Sequence, residues 1–276
     1  MCGRIALYTP PERLARAFGA RLSDDVDPAA PPRWNVGPTS QVLALTAVPG
    51  ETPGRTGGPA GPDRAGGRPG AVAGPARDAP PAAGGGTSGP DHPALVLGRY
   101  RWGLVPSWAD DPSIGSRLFN ARAETVATKP SFRSAFRSRR AAVVADGFME
   151  WQAGPGGRQP YFFRRADGAP LAFAGLWERW PGPGGDPGVT AMVTCTVITT
   201  DAGPDVAAVH DRMPVVLERE DLDRWLRPEG GQPDVARAIL RPAARGVLVG
   251  YPIDRRVGNV RNDDPAIIEP TGPAGT

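Results

Sequence analysis

The residue at position 2 is a cysteine, and this position gives it a chemistry that no interior cysteine has. Removal of Met1 would leave Cys2 with a free α-amine and a thiol on adjacent carbon atoms. An aldehyde can form a Schiff base with the amine, and the thiol can then close a five-membered thiazolidine ring. With ordinary pKa values of about 8 and about 8.5, both groups are available near neutral pH. The alternative is a cysteine exposed at a frayed chain end, without a role.

Three further polar residues stand where they can transfer protons or orient a substrate. Glu150 lies in the apolar segment GFMEW, so it either faces solvent through the two-residue period of a strand or is desolvated with a raised pKa. His210 precedes a strand in VHDRMPVVL and either holds a loop or acts as a general acid and base. Asn120, in LFNARAET, is typical of a turn or a cap. Considered one at a time, each residue is more typical of its structural role than of catalysis: a solvent-facing glutamate, a loop histidine and a turn asparagine.

The composition excludes several other kinds of site. Two cysteines (Cys2 and Cys195) and two histidines without close spacing cannot form a zinc site, and we expect no metal and no cofactor. The cysteine count also excludes a disulfide scaffold and indicates a reducing compartment. No apolar run approaches the roughly 20 residues of a membrane span, and residues 1–20 lack the basic-then-apolar order of a signal peptide. We therefore expect a cytoplasmic protein without membrane contact.

Positive charge is concentrated in one segment of the chain. The whole sequence has a formal net charge of +3, whereas residues 113–140 carry seven basic residues and one acid, Glu124. The basic residues are Arg117, Arg122, Lys129, Arg133, Arg137, Arg139 and Arg140. Such a run is either a solvated face or a phosphate-binding surface, and both interpretations stay open at this point.

Glycine and proline are in excess, with 37 and 34 residues, and much of that excess lies in residues 49–93. Because this segment has few large apolar side chains, it cannot offset the entropy of ordering itself, which predicts a disordered insertion. His92 lies within it and is expected to be idle. We predict one domain over residues 1–270, interrupted at about 49–93, and a frayed tail over residues 271–276.

The rest of the chain is rich in strands and poor in helices. Strands are predicted at GFMEW and at Ile5–Tyr8, Val42–Val48, Ala94–Arg101, Ala141–Ala145, Tyr161–Arg165, Leu171–Trp177, Val189–Thr199, Pro214–Leu217 and Val247–Ile253. Helices are predicted from a capping box at Thr9–Glu12 to Phe18, with Gly19 as the stop, and at Phe132–Arg139, Arg219–Arg227 and Asp234–Leu240. Because the strands do not alternate regularly with helices, we expect an α+β domain around a mostly antiparallel, barrel-like sheet.

Seven segments occur in an order that is similar to a known family. They are MCGR at the start, RWNVGPT at 33–39, RWGLVPSW at 101–108, FNARAET at 119–125, DGFMEW at 146–151, VHDRMPVVL at 209–217 and VGNVRND at 257–263. Together they resemble the SOS response-associated peptidase (SRAP) family. The resemblance implies a single domain with a twisted, barrel-like sheet and peripheral helices. The insertion at 49–93 is longer than the family leads us to expect, and Met149 stands where an aromatic residue is more usual.

The resemblance also implies an activity. Such proteins sense abasic sites in single-stranded DNA during the DNA damage (SOS) response and link themselves covalently to them. Cys2 would form the thiazolidine with the ring-opened sugar aldehyde, and Asn120 would hold the N-terminal residue and the sugar. Glu150 would position and deprotonate the α-amine, and His210 would assist proton transfer during ring opening, Schiff-base exchange or strand β-elimination.

DNA contacts are implied by the same resemblance. Arg4 and Arg122 would bind phosphates, with Thr199 and Arg212 as weaker candidates, and Trp108 would stack on or wedge against a base. The expected partner is therefore single-stranded DNA that contains abasic sites, bound by a monomer that associates with the nucleoid when on DNA.

Two other functions stay open. A thiol peptidase, or autopeptidase, would use Cys2 as an N-terminal nucleophile with Glu150 and His210, and the simplest amide available to it joins Met1 to Cys2. A plain single-strand-binding module would show affinity that falls steeply with salt and does not depend on Cys2.

Overall fold

Short strands account for most of the regular structure in residues 2–47, 94–186, 188–226 and 233–272, which the computed structural model describes. The strands are β1 (Ile5–Leu7), β2 (Ala20–Leu22), β3 (Arg33–Val36), β4 (Gln41–Ala47), β5 (Leu95–Trp102), β6 (Asn120–Arg122), β7 (Arg140–Ala145), β8 (Gly147–Gly154), β9 (Gly157–Arg165), β10 (Leu171–Trp180), β11 (Met192–Asp201), β12 (Arg212–Pro214) and β13 (Leu248–Pro252). The α-helices are α1 (Pro11–Phe18), α2 (Arg133–Ser138), α3 (Arg219–Leu226) and α4 (Pro233–Ile239). Single 3-10 helices occupy Pro112–Arg117, Pro183–Gly185, Arg255–Gly258 and Pro265–Ile268.

Five strands close into a ring. β5, β4, β7, β10 and β11 pair antiparallel in that order, and β11 returns to β5 in parallel through Cys195 and Trp102. β2 and β6 join in parallel, at β5 and β11, and β12 joins β11 antiparallel. The expected α+β fold, with a mostly antiparallel, barrel-like sheet and peripheral helices, is confirmed.

The ring has a packed layer on each of its faces. β7 is buried at every position, and its alternate side chains enter two different apolar clusters. Ala142 and Val144 pack in the cluster that contains Phe136 of α2 and Trp225 of α3. The other three apolar residues of β7 pack in the cluster that contains the start of the chain; they are Ala141, Val143 and Ala145. A strand that is buried on both faces has no polar alternation, which explains its continuous apolar sequence.

A second sheet carries the start of the chain. Its strand order is β13, β9, β8, β1 and β3, and every pairing in it is antiparallel. Ile5 of β1 pairs with Phe148 on one side and with Val36 on the other. The chain therefore begins beside β8, the strand that contains Glu150.

The capping box predicted for α1 is wrong. The N-cap residue is Pro10, and no side chain caps the helix. Thr9 instead donates its hydroxyl to Asp146 Oδ1 at 2.5 Å, and its backbone N–H donates to Asp146 Oδ2 at 2.8 Å. A carboxylate supplied from far along the chain has replaced the local cap. The stop at Gly19 is confirmed, since this glycine has a φ of 66° in the left-handed region.

The strand predicted at Pro214–Leu217 is wrong in its bounds: β12 ends at Pro214, and only Val216 beyond it forms an isolated bridge, to Phe173. The remaining predicted elements are confirmed with shifted ends, and three short strands were missed. β2, β3 and β6 have three or four residues each, too few to show an alternation of their own, and they form on strands from elsewhere in the chain. The predicted insertion at 49–93, with His92, lies outside the described residues, as do Met1 and residues 273–276 of the predicted tail. The domain boundaries at 1 and 270 stay a prediction.

Candidate active site

Cys2 is fully buried. It belongs to the buried apolar cluster that contains Ile5, Val36 and Phe148, and its Sγ lies 3.9 Å from the backbone oxygen of Arg4. The alternative of a cysteine exposed at a frayed end is wrong, because β1 is paired on both edges and holds the chain start between β3 and β8. Burial, and after it the charge of Glu150, raises the pKa of the Cys2 thiol well above its usual value. The sulfur is therefore a neutral thiol near pH 7.

Asn120 holds the backbone of Cys2. Its Nδ2 donates a hydrogen bond of 2.7 Å to the Cys2 backbone oxygen. β6 presents Asn120 because it pairs in parallel with β11, with Asn120 opposite Val197. The Oδ1 atom of Asn120 is buried and accepts no hydrogen bond from the described part of the chain. Asn120 Oδ1 can therefore accept a hydrogen bond from a ligand that binds beside Cys2.

Glu150 is the buried carboxylate of the site, with 1% of its surface exposed. The backbone N–H of Met149 donates to Arg4 O at 3.0 Å, which continues the β1–β8 pairing toward the chain start and sets Glu150 beside it. The solvent-facing alternative for Glu150 is therefore wrong. Burial raises the pKa of Glu150 to about 7, and the charge of Asp211 adds to the rise. Near neutral pH this carboxyl group can both accept and donate a proton.

His210 lies in the loop before β12 and faces Glu150, with Nε2 3.8 Å from Oε2. Nδ1 lies 2.9 Å from the backbone nitrogen and 3.2 Å from the backbone oxygen of Arg212, so these contacts fit either neutral tautomer, and Nε2 is the ring nitrogen that faces Glu150. The exposed carboxylate of Asp211 lies 3.0 Å from Nδ1. Burial lowers the pKa of His210, and the positive charge of Arg158 contributes, while Asp211 opposes both. The imidazole is therefore mostly neutral at pH 7.

A cavity of about 320 Å³ opens at Glu150 and His210. Its other lining residues are Trp151, Ala153, Arg158, Val209 and Asp211. Sequence reasoning missed Arg158, although a signal was available: the turn at Gly154–Gly157 sets the register of the β8–β9 hairpin and puts Arg158 opposite Ala153. The cavity has the polar groups for proton transfer at one end and a half-buried tryptophan in its wall.

Arg4 is tied to the C-terminal loop. Its Nη2 donates to Gly258 O at 3.1 Å, and its buried Nη1 has no hydrogen-bond partner within the described ranges. The same loop is held by buried Asn35, whose Nδ2 donates to the backbone oxygens of Val257, Asn259 and Asn262 at 2.8–3.1 Å. Sequence reasoning missed this role of Asn35, which joins the RWNVGPT and VGNVRND segments and supports Arg4.

Arg122 and Trp108 are both exposed. Arg122 is two residues after Asn120 in β6, so it projects from the same face of that strand. Trp108 has 61% of its surface exposed, which is unusual for a residue of its size. Both side chains are free to meet a ligand from solution.

Thr199 and Arg212 are occupied within the protein. Thr199 is buried, and its hydroxyl lies 3.4 Å from Ala121 O. The Arg212 guanidinium donates to Glu124 Oε1 and Asp201 Oδ1, both at 2.7 Å, and to Thr199 O at 2.8 Å. These contacts neutralise the charge of Arg212. Neither residue lines the cavity formed by the described side chains, and both stay weak predictions for DNA contact.

The basic segment 113–140 does not form one charged face. Arg140 is buried, with its guanidinium carbon 5.5 Å from the centre of the Phe136 ring and 5.4 Å from that of Trp225. Arg139 pairs with Glu178 at 2.7 Å. Two of the seven basic residues are therefore structural, and the surface charge of the segment is smaller than its sequence indicates.

Within the described residues, no three His, Cys, Asp or Glu side chains come together as ligands for a metal ion. None of the helices formed by those residues is long and apolar enough to cross a membrane.

Comparison with known proteins identifies relatives of this chain. Abasic site processing protein YedK of Escherichia coli (strain K12) is 33% identical over 275 residues, covering 98% of this chain and 100% of YedK. Abasic site processing protein YoqW of Bacillus subtilis (strain 168) is 40% identical over 174 residues, covering 63% of this chain and 76% of YoqW. Abasic site processing protein HMCES of Gallus gallus is 35% identical over 204 residues, covering 65% of this chain and 59% of HMCES.

The fold and the family are also recognised. The crystal structure of a protein from Bacteroides thetaiotaomicron superposes with a TM-score of 0.72, at 20% identity, covering 98% of this chain and 100% of that one, which shows a shared fold. The sequence profile of the family described as SOS response associated peptidase (SRAP) matches residues 1–260. On this match and on the relatives above, the chain is a member of the SRAP family.

Proposed function

We propose that this protein recognises abasic sites in single-stranded DNA and captures them covalently through Cys2 after Met1 is removed, shielding the lesion. The observation that carries this proposal is the cluster around Cys2. Asn120 holds the backbone of Cys2 at 2.7 Å, and Glu150 and His210 face each other at 3.8 Å at the adjoining cavity. The relatives YedK, YoqW and HMCES are named abasic site processing proteins, which supports abasic sites as the substrate.

The chemistry needs no oxidant and no cofactor. The ring-opened sugar of an abasic site presents an aldehyde, and the α-amine of Cys2 adds to its carbon to give a carbinolamine. Loss of one water gives a Schiff base. Addition of Sγ to the same carbon, with transfer of the thiol proton to the nitrogen, closes the thiazolidine, so the balance is one water released for each crosslink.

The two titratable side chains supply the proton transfers. Glu150, with its pKa raised to about 7 by burial, accepts a proton from the ammonium group of Cys2 and returns one during dehydration. His210, whose pKa is lowered by burial, transfers protons to and from the sugar through Nε2 during ring opening, Schiff-base exchange or strand β-elimination. Because burial keeps the Cys2 sulfur as a thiol, its proton must leave during the attack.

Access is a requirement of the proposal. Cys2 is fully buried in the chain that carries Met1, and its nitrogen is an amide until Met1 is removed. Removal of Met1 must therefore create the amine and also open both nucleophilic atoms toward the cavity at Glu150.

DNA contacts are assigned to Arg4, Arg122 and Trp108. The partly buried Arg4, anchored on Gly258 O, and the exposed Arg122 beside Asn120 would hold backbone phosphates near Cys2. Trp108 offers an exposed ring on which a base can stack. Thr199 and Arg212 take part only if the DNA displaces their present contacts.

A denaturing gel tests the proposal. The mature protein, with removal of Met1 verified by mass spectrometry, is incubated with a single-stranded oligonucleotide that contains one abasic site. We expect a band of protein plus DNA from the wild type and none from Cys2→Ala or from protein that retains Met1. Cys2→Ser, which keeps the amine, should give a Schiff base that only borohydride traps. A mature wild type without the band would overturn the proposal.

A second function, thiol autopeptidase, would use Cys2 with Glu150 and His210 on the amide that Cys2 forms with Met1. The charge of Glu150 contributes to raising the pKa of the Cys2 thiol, which supports a carboxyl group close to that nucleophile. Mass spectrometry of protein made in cells without a methionine aminopeptidase distinguishes self-cleavage from removal by another enzyme. Loss of Met1 from the wild type, together with its retention in Glu150→Gln, would support self-processing.

A further inference from the structure

We propose that Arg158 binds a backbone phosphate next to the abasic sugar, at a subsite in the cavity that contains Glu150 and His210. The proposal rests on the function proposed above, because its ligand is a phosphodiester of the bound strand. Arg158 lines the same cavity as Glu150 and His210 and has an exposed side chain.

The hairpin that carries Arg158 is anchored at two points. Gln152 Nε2 donates to Ala208 O at 2.8 Å, which ties β8 to the loop of His210. Arg255 Nη1 donates to Gly156 O at 2.8 Å, which ties the turn of the hairpin to the C-terminal part of the chain. Arg158 lies two residues after Gly156, so its backbone is held in a fixed place relative to His210.

The charges around the cavity leave Arg158 available to an anion. No ion pair joins the Arg158 guanidinium to another side chain in the described ranges, and its charge contributes to lowering the pKa of His210. The acids facing the cavity are Glu150, with a pKa of about 7, and Asp211, whose side chain is 88% exposed and lies 3.0 Å from His210 Nδ1. A guanidinium is charged at every relevant pH and can bind two oxygens of one phosphate.

The subsite also has a consequence for His210. A phosphate bound to Arg158 offsets the positive charge that now disfavours protonation of the imidazole. Occupation of the subsite therefore raises the proton affinity of His210 once DNA is in place.

The experiment measures binding without the covalent step. The ligand is single-stranded DNA with a tetrahydrofuran residue, which lacks the aldehyde, and affinity is measured by fluorescence anisotropy between about 50 and 200 mM salt. We expect Arg158→Gln to weaken binding about tenfold at low salt and to reduce the salt slope by about 0.7, the loss of one phosphate contact. Arg158→Lys should keep the slope. Arg13→Gln, an exposed arginine of α1 outside the cavity, is the matched control and should change neither quantity by as much.

A second measurement locates the phosphate. A neutral methylphosphonate is placed either 5′ or 3′ to the tetrahydrofuran residue. One of the two should weaken wild-type binding and leave Arg158→Gln unaffected, since the contact is already lost. Arg158→Gln binding like the wild type, or losses that add for both methylphosphonates, would overturn the subsite. Failure of the covalent proposal appears separately, as a wild type that binds this DNA yet forms no crosslink with an abasic site.

Discussion

Arg212 and Glu124 form a two-pronged ion pair, with Nη1 2.7 Å from Oε1 and Nη2 3.1 Å from Oε2. Glu124 lies just after β6, the strand of Asn120, while the backbone N–H of Arg212 fixes His210 through Nδ1. The pair therefore connects the strand that holds the Cys2 backbone to the loop that presents the imidazole. The Arg212 guanidinium therefore positions His210 relative to Asn120, and in this structure it is not available to bind DNA.

Glu124→Gln should slow crosslinking at saturating DNA about fivefold to tenfold. The neutral amide loses one acceptor and the charge that holds Arg212, so the His210 loop loses an anchor. Single-turnover rates and anisotropy with tetrahydrofuran DNA separate rate from affinity, and affinity should not fall. Asp201→Asn is the control, since Asp201 is 82% exposed and its loss should cost less. Weaker DNA binding with an unchanged maximal rate would contradict the positioning role.

Asn120→Asp should be more damaging than Asn120→Ala. The aspartate places a carboxylate oxygen against Cys2 O, where the amide now donates at 2.7 Å, whereas alanine only removes the donor. Loss of a hydrogen bond to a buried acceptor costs about 1–3 kcal/mol, which corresponds to a rate loss of about fivefold to 150-fold for alanine. Single-turnover crosslinking measures both variants. Equal rates for Asn120→Ala and wild type would remove Asn120 from the site.

The pH dependence of crosslinking follows from Glu150 and His210. With its pKa at about 7, Glu150 loses its base form as the pH falls through 7, while dehydration of the carbinolamine loses its acid as the pH rises. We expect an optimum at or somewhat above pH 7, with the acid limb near 7 and not near the usual 4.5. Glu150→Gln should be slow and lack that limb. A wild-type rate that rises steadily to pH 10 would contradict both assigned roles.

The composition of the site could be predicted from the sequence, but its burial could not. Cys2 at the chain start and Glu150 within GFMEW were visible as residues. Whether each is buried depends on pairing across more than 140 residues, Ile5 with Phe148, and a two-residue period cannot tell which face is covered. The Thr9 cap failed for the same reason, because Asp146 competes from 137 residues away.

The free energy of unfolding should depend on pH because Glu150 is buried in the site. Its folded-state pKa is raised, so the folded state binds more protons than the unfolded one between about pH 4.5 and 7, and stability falls as the pH rises through that window. Glu150→Gln should therefore exceed the wild type at pH 8, by at most about 3 kcal/mol, and gain little at pH 4. Urea unfolding at the two pH values measures this.

Glu124→Gln is the control of opposite sign for stability. The Arg212 guanidinium holds the pKa of Glu124 below its usual value, so its contribution is present above the unfolded-state pKa and is lost as the pH falls. Glu124→Gln should thus destabilise the protein at pH 8 and matter less at pH 4. A pH-independent effect of Glu150→Gln would show that its carboxyl group is not desolvated.

Arg140 and Arg122 belong to the same basic segment but should differ in every measurement. Arg140 is buried between Phe136 and Trp225 and donates to Phe136 O at 3.0 Å, so Arg140→Ala should destabilise the fold by about 2–4 kcal/mol. Arg122 is exposed, so Arg122→Gln should leave urea unfolding within about 0.5 kcal/mol of the wild type. Its effect should appear as weaker binding to single-stranded DNA and a salt slope reduced by about 0.7.

Arg140→Lys is the control for the buried arginine, because it keeps the positive charge and disturbs the fold less than Arg140→Ala does. This variant should bind DNA with the wild-type salt slope. A reduced slope for Arg140→Lys, or an unchanged one for Arg122→Gln, would show that burial does not divide the segment into structural and DNA-binding arginines.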